Sequence, residues 1–301
     1  MDGKRYLIVT ADDFGIGPAT SEGILELAGR GVITGTVLLV NSPYAESAVR
    51  AWRQTGAALE LGWHPCLTLD RPILPAEKVP SLVDADGRFY RLGRLLRRLC
   101  LGQVRGEHIR AEFRAQYGRF HDLVGRPPSV VNSHHHIQVF APIGRILCEV
   151  LSRQQPRPYL RHVREPLGVI ARVPGARFKR LSLSLLGRGG ARRQQRGGFA
   201  GNQWLAGITD PPFVADPAFL KRWLTHVPGR VVELTCHPGY LDAKLIGRDC
   251  TPGDGQLQRR VHEFHLLRHS SFQEACRRAG FTLIAPRQLR EIDEGRQKSA
   301  A

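Results

Sequence analysis

Two adjacent carboxylates, Asp12 and Asp13, close the apolar run Tyr6-Leu7-Ile8-Val9-Thr10-Ala11 and are followed by Phe14 and Gly15. That is the sequence form of a buried strand delivering acids to the edge of a sheet. Burial makes each carboxylate costly, and side by side the two repel unless a cation or a shared proton lies between them. The alternative is an exposed Asp-Asp turn that only ends a strand. Three further apolar runs weigh against that alternative, because each ends in histidine. Leu59 to Trp63 leads to His64, Ser129-Val130-Val131 leads through Asn132 and Ser133 to His134-His135-His136, and Arg230 to Cys236 leads to His237. A carboxylate with two neutral imidazoles leaves open positions on a divalent cation, which suits a catalytic metal better than a closed structural one. One member of the Asp pair would bind the cation and the other would remain free as a base, while a histidine opposite would protonate a leaving group. Strand alternation places His134 and His136 on the metal face and gives His135 a structural role. Neighbours with different tasks cannot point the same way, so the backbone after Ala11 is expected to leave regular strand geometry.

The elements that must position these groups alternate along the chain. Helical spacing covers Pro18 to Arg30, Ala45 to Gln54, Glu107 to Val124, Ala141 to Arg153, Ala218 to Val227 and one long stretch from Gln256 to Ala279. Strand-like runs lie between them, including Thr36 to Val40, Tyr159 to Arg164 and Phe281 to Ala285. Pro65 pushes His64 toward extended geometry at a strand end. Alternating strands and helices predict an α/β fold, and seven or eight strand candidates suit a (β/α)-barrel-like arrangement of parallel strands, closed or nearly closed. In such barrels catalytic groups come from the carboxyl ends of several strands, so the four termini would converge. A dinucleotide fold is disfavoured: no G-x-G-x-x-G turn follows the first strand, and carboxylates there would repel a pyrophosphate.

Residues 1–290 are expected to form a single catalytic barrel domain, with 291–301 as a C-terminal tail. The chain has 301 residues, 42% of them hydrophobic and 24% charged, which excludes wholesale disorder. Six scattered cysteines without a C-x-x-C pair, and an N-terminal apolar run too short for a signal or a membrane span, predict reduced thiols and a cytoplasmic location. The net charge of +17 favours anionic partners. Much of it sits in 166–209, a basic insertion without a single acidic residue, where Arg177, Lys179, Arg180, Arg188, Arg192, Arg193 and Arg196 interleave with Leu181, Leu183, Leu185 and Leu186. It could lie on an anionic membrane surface, making the protein peripheral to a membrane, or form a solvated face with leucines packed inward. Nucleic acid is not expected as a partner, because the charge lacks interleaved aromatics. His262, His265 and His269 have helical spacing but no flanking acid motif, and are read as ordinary surface or core residues.

Four motifs in order carry a family resemblance: Ala-Asp-Asp-Phe-Gly at 11–15, Gly-x-His-x-x-Leu-Thr at 62–68, Asn-Ser-His-His-His at 132–136 and Cys-His-Pro-Gly at 236–239. Together they resemble the YdjC-like carbohydrate deacetylases, which include chitooligosaccharide and hopanoid-associated types. The resemblance implies Asp13, His64 and His134 as ligands of one divalent metal ion, zinc or magnesium, with Asp12 as general base and His237 as general acid. His136 and Asn132 would contact substrate or support the ligands. It also implies removal of the acetyl group from an N-acetylated amino sugar in an oligosaccharide or glycolipid, with release of acetate. A metal-dependent hydrolase of another amide or ester would use the same residues. Many members carry Asp where this chain has Asn132, so a carboxylate supporting the histidines is expected to be missing here.

Overall fold

The computed structural model describes residues 4–56, 59–289 and 291–292. Nearly all of the tail read at 291–301 lies outside them. Eight strands are described: β1 (Arg5–Phe14), β2 (Gly35–Leu38), β3 (Glu60–Trp63), β4 (Val130–Val131), β5 (Tyr159–Leu160), β6 (Trp204–Ala206), β7 (Val231–Cys236) and β8 (Phe281–Leu283). The helices are α1 (Pro18–Gly29), α2 (Ala45–Gln54), α3 (Leu92–Cys100), α4 (Gly106–Val124), α5 (Ala141–Leu151), α6 (Leu167–Arg172), α7 (Arg177–Arg196), α8 (Pro211–Val214), α9 (Phe219–His226), α10 (Gln256–Arg268) and α11 (Ser270–Arg278).

All strand pairs are parallel, in the order β5-β4-β3-β2-β1-β7-β6. Strand β1 is long enough to serve two partners along one edge, β8 beside Arg5–Leu7 and β2 from Thr10 onward. From Leu7 onward its residues are buried on both faces, Leu7, Ile8, Val9 and Ala11 as apolar core, as parallel strands covered by helices require. Helix α4 packs on β3 through Trp63, whose ring meets Phe113 edge-on at 5.9 Å and Tyr117 at 6.0 Å. Gly62 lets β3 approach β4, since a Cβ there would collide with the Val130 carbonyl.

The sheet curls until its two edges nearly meet, which agrees with the barrel-like reading. No ladder joins β5 to β6, but single hydrogen bonds bridge them. Leu160 N donates to Ala200 O at 2.8 Å and Leu205 N to Arg164 O at 2.9 Å. Between these, the Asn202 side chain accepts from His162 N and donates to His162 O, both at 2.8 Å.

His162 is itself sealed in this seam, its Nδ1 donating to Asn202 O at 2.8 Å. Burial disfavours its charged form and pulls its pKa down to about 4. The unfolded chain takes up this proton near pH 6.5 and the folded chain does not, so the stability it contributes is complete above about 6.5 and is lost as pH falls toward 4. Urea unfolding at pH 7.5 and 4.5 should show a loss from this group of roughly 2–3 kcal/mol. His162→Gln should reduce the pH-dependent loss by that amount; an identical difference in both proteins would remove His162 as a cause.

Three sequence expectations change. The stretch Gln256 to Ala279 is two helices, broken where His269 turns extended and its ring accepts the Ser271 N–H at the start of α11. The segment 166–209 does not stand apart as an insertion, because it contains α6, α7 and the sheet strand β6. The strand expected over Tyr159 to Arg164 is regular for only two residues. All six cysteines are free thiols.

Candidate active site

The site forms at the carboxyl ends of β1, β3, β4 and β7, beside a cavity of about 680 Å³ that Asp12, Asp13, His64, His134, His136 and His237 all line. Strand β1 reaches it with a break in geometry. Asp13 has φ of 65°, and the register with β2 shifts between Ala11 and Phe14. Left-handed backbone at a non-glycine residue is uncommon, and a bulge here turns successive side chains away from strict alternation. The expected departure after Ala11 is therefore present, and it gives the two acids separate surroundings.

Asp12 faces Arg161, just past β5. The guanidinium donates from Nη1 to Oδ2 at 2.6 Å and from Nη2 to Oδ1 at 2.8 Å. Thr235 Oγ1 adds a bond at 3.0 Å and Asn132 Nδ2 one at 3.3 Å. Burial alone would raise the Asp12 pKa, but Arg161 outweighs it and holds the carboxyl well below the usual range. Arg161 is fully buried and also donates from Nε to Glu233 at 2.7 Å, and Glu233 in turn accepts from Tyr159 at 2.8 Å.

Asp13 meets a different set. Its Oδ1 lies 3.0 Å from His134 Nδ1 and 3.3 Å from His64 Nε2, and its Oδ2 accepts from Arg260 at 2.7 Å. Its carboxyl is also held well below the usual range; burial opposes this, while Arg260 and then His134 favour the anion. Arg260, on α10, also reaches Asp249 at 3.0 Å. His64 Nδ1 lies 2.7 Å from the Asn132 carbonyl, which can only accept, so that nitrogen carries the proton. His64 Nε2 then faces Asp13 Oδ1 at 3.3 Å, an orientation in which both atoms could bind one cation.

Asp13, His64 and His134 each offer a ligand atom within 4.8 Å of the others, and all three are buried. These residues fit a divalent cation in donor type, convergence and charge. A second overlapping group, His134, His135 and Asp249, meets the same spacing. His134 Nε2 is buried without a hydrogen bond among the described residues and lies 3.6 Å from Asp249.

His237 follows β7. Its Nδ1 lies 3.2 Å from Arg259 Nη2, a donor only, so the imidazole proton sits on Nε2, 3.9 Å from Asp12 Oδ2. Burial first, and then Arg259, holds its pKa well below the ordinary histidine value. Glu263 fixes the pair, accepting from Arg259 Nε at 2.8 Å and from the His237 main-chain N–H.

The alternation argument for His134 to His136 does not hold. These residues form a 3-10 turn in which His135 and His136 both have φ of 54°. His134 goes to Asp13, His135 hydrogen-bonds Thr68 at 2.9 Å, and His136 is buried near Arg161 with its pKa lowered to about 3, chiefly by desolvation. The expectation for Asn132 also changes. Its side chain faces Asp12 and its carbonyl supports His64, so no carboxylate is missing from the histidines' support. An Asp at 132 would instead set a third acid beside Asp12.

Sequence reasoning missed Arg161, Glu233, Asp249, Arg259, Arg260 and Glu263. Arg161 was within reach, since it lies inside the strand candidate Tyr159 to Arg164. Asp249 and Arg260 come from a loop and a helix more than 230 residues from Asp13, with no local signal.

The model of the family described as YdjC-like protein matches residues 6–278. A carbohydrate deacetylase of Geobacillus stearothermophilus is 30% identical over 292 residues, covering 96% of this chain and 99% of that one. A chitooligosaccharide deacetylase of Serratia marcescens is 28% identical over 284 residues, covering 93% and 97%. A solved structure from Enterococcus faecalis V583, described as a cellobiose-phosphate cleavage protein, has a TM-score of 0.75 at 27% identity and covers 95% of this chain and 99% of its own. The chain belongs to the YdjC-like family.

Proposed function

We propose that this protein is a metal-dependent deacetylase that hydrolyses the acetamide of an N-acetylated amino sugar, in an oligosaccharide or a glycolipid, and releases acetate. The observation that carries it is the division of one acid pair: Asp13 joins two histidines, while its neighbour Asp12 is held apart by Arg161 in the same cavity. The curated relatives named as deacetylases span nearly the whole chain and support the reading. Asp13, His64 and His134 would hold the ion. When bound, a divalent cation polarises a carbonyl and lowers the pKa of water.

The chain's own residues supply the rest. Asp12 stays ionised and is assigned the proton of the attacking water, with Arg161 fixing its plane. His237 is assigned the departing amine. Burial beside Arg259 keeps it neutral at rest, so the proton it would give to the amine has to reach it during the reaction, from Asp12, which would have taken it from water and whose Oδ2 lies 3.9 Å from Nε2. Asn132 sets the tautomer of His64 and steadies Asp12. His136 lines the cavity and is assigned to substrate contact.

The test is acetate release from N-acetylglucosamine oligosaccharides and glycolipids, against a panel of simple amides and esters. Prolonged chelation should abolish it, and added zinc or magnesium should restore it. Turnover that survives complete chelation would remove the metal from the reading. Faster turnover of unrelated esters would favour the broader hydrolase.

A further inference from the structure

Helix α7 is amphipathic in the wrong sense for a water-facing helix. Its inward face holds Arg180, Ser184, Gly187, Gly190, Ala191 and Gln194. Its outward face carries Phe178, 84% exposed, Leu185, 53% exposed, and the half-exposed Leu181 and Leu186. The helix cannot roll to bury these leucines. Arg180 is locked inward by Glu165, by the carbonyls of Val173 and Gly175, and by stacking 4.5 Å over Trp223. Gly187 presses on the Val163 carbonyl with no room for a Cβ. The next turns of the same face present Arg188, Arg192 and Arg196, which are exposed and have no carboxylate within ion-pair distance among the described residues.

A second helix repeats the pattern at the same opening. Leu92 and Leu96 of α3 line the cavity together with Phe178 and Leu186 of α7. Arg91 just before α3 and Arg94 and Arg97 within it are exposed, and Leu101 beyond it is 60% exposed. No acidic residue occurs from Gly87 to Gly106, as none occurs in 166–209. Apolar side chains therefore stand next to arginines that have no carboxylate partner among the described residues, around one opening and from two helices far apart in sequence.

We infer that this rim, α7 with α3, docks the opening of the cavity onto an anionic phospholipid bilayer. A bilayer surface offers both anionic headgroups and apolar chains, the two kinds of contact that the arginines and leucines of these helices can make. Nucleic acid offers phosphate but no apolar layer for Leu181 and Leu185. No helix among the described residues is long and apolar enough to cross a membrane, so contact is by surface-lying helices. Docking in this way would bring the acyl or polyprenyl part of an amphiphilic substrate to the opening while its headgroup reaches Asp12 and Asp13.

The experiment is flotation of the full chain with vesicles of phosphatidylcholine alone, or with about one third phosphatidylglycerol, at about 0.1 M salt. Flotation is expected only with the anionic vesicles. Leu181→Ser/Leu185→Ser and Arg188→Glu/Arg192→Glu should each weaken it more than about tenfold. Neither pair lines the cavity, so acetate release from a soluble oligosaccharide should be unchanged in both. No flotation with either vesicle, flotation unaltered in both variants, or affinity for nucleic acid without affinity for vesicles would each overturn the inference. The binding measurement stands whether or not the protein is a deacetylase.

Discussion

Asp12→Asn should lower the rate of acetate release about 10²- to 10⁴-fold, the range for losing a general base, while the chain stays folded and keeps its metal. The separation at the β1 bulge is the reason. Asp12 is bonded to Arg161, Thr235 and Asn132 and stands outside the Asp13, His64 and His134 group. An asparagine keeps the shape, and Arg161 retains Glu233 as its counter-charge. Asp13→Asn should behave differently: metal per chain should fall together with turnover, because one ligand is lost and Arg260 is left facing His64 and His134 across a neutral amide. The decisive comparison is metal content against kcat for the two variants. Normal turnover in Asp12→Asn would remove the base from its role. Equal metal loss in both would show that the two acids act as one unit.

Arg161→Met should destabilise the fold by about 3–5 kcal/mol, the cost of removing one partner from a buried ionic cluster. The side chain is fully buried and is the common cation for Asp12 and Glu233, so its loss strands two carboxylates. Lysine should recover little, since a point charge cannot reproduce a fork that bonds Asp12 through two nitrogens and Glu233 through a third. Adding Glu233→Gln to Arg161→Met should restore part of the stability, because one stranded charge disappears while Tyr159 can still donate to the amide oxygen. Urea midpoints of the four proteins give the answer. A loss below about 1 kcal/mol in Arg161→Met would place the arginine among pairs that contribute little.

Much of the fold was legible because strand and helix periods are local properties. The run from Tyr6 and the run from Arg230 announce β1 and β7, which pair over six residues at the centre of the sheet. Strand β6 was hidden: three residues within an acid-free basic stretch give no period to read. The acids and histidines at strand ends were legible by residue type. What set their roles was not. The direction taken by His135 and His136 depends on left-handed backbone that no alternation rule describes. The arginine assigned to each acid comes from distant chain, Arg161 for Asp12 and Arg260 for Asp13, and only folding brings them together.

The same assignments leave a charge imbalance in the interior. Three enclosed carboxylates, those of Asp12, Asp13 and Glu233, and the partly buried Asp249 surround the site, and among the described residues two arginines, Arg161 and Arg260, answer them directly. Arg259 and Glu263 cancel each other. With neutral imidazoles these pairs leave two negative charges in a medium that screens poorly, and Lys179, on the cavity wall, offsets part of them. The charge of the proposed ion would thus be answered by carboxylates and arginines that never touch it, as well as by the three residues that would hold it.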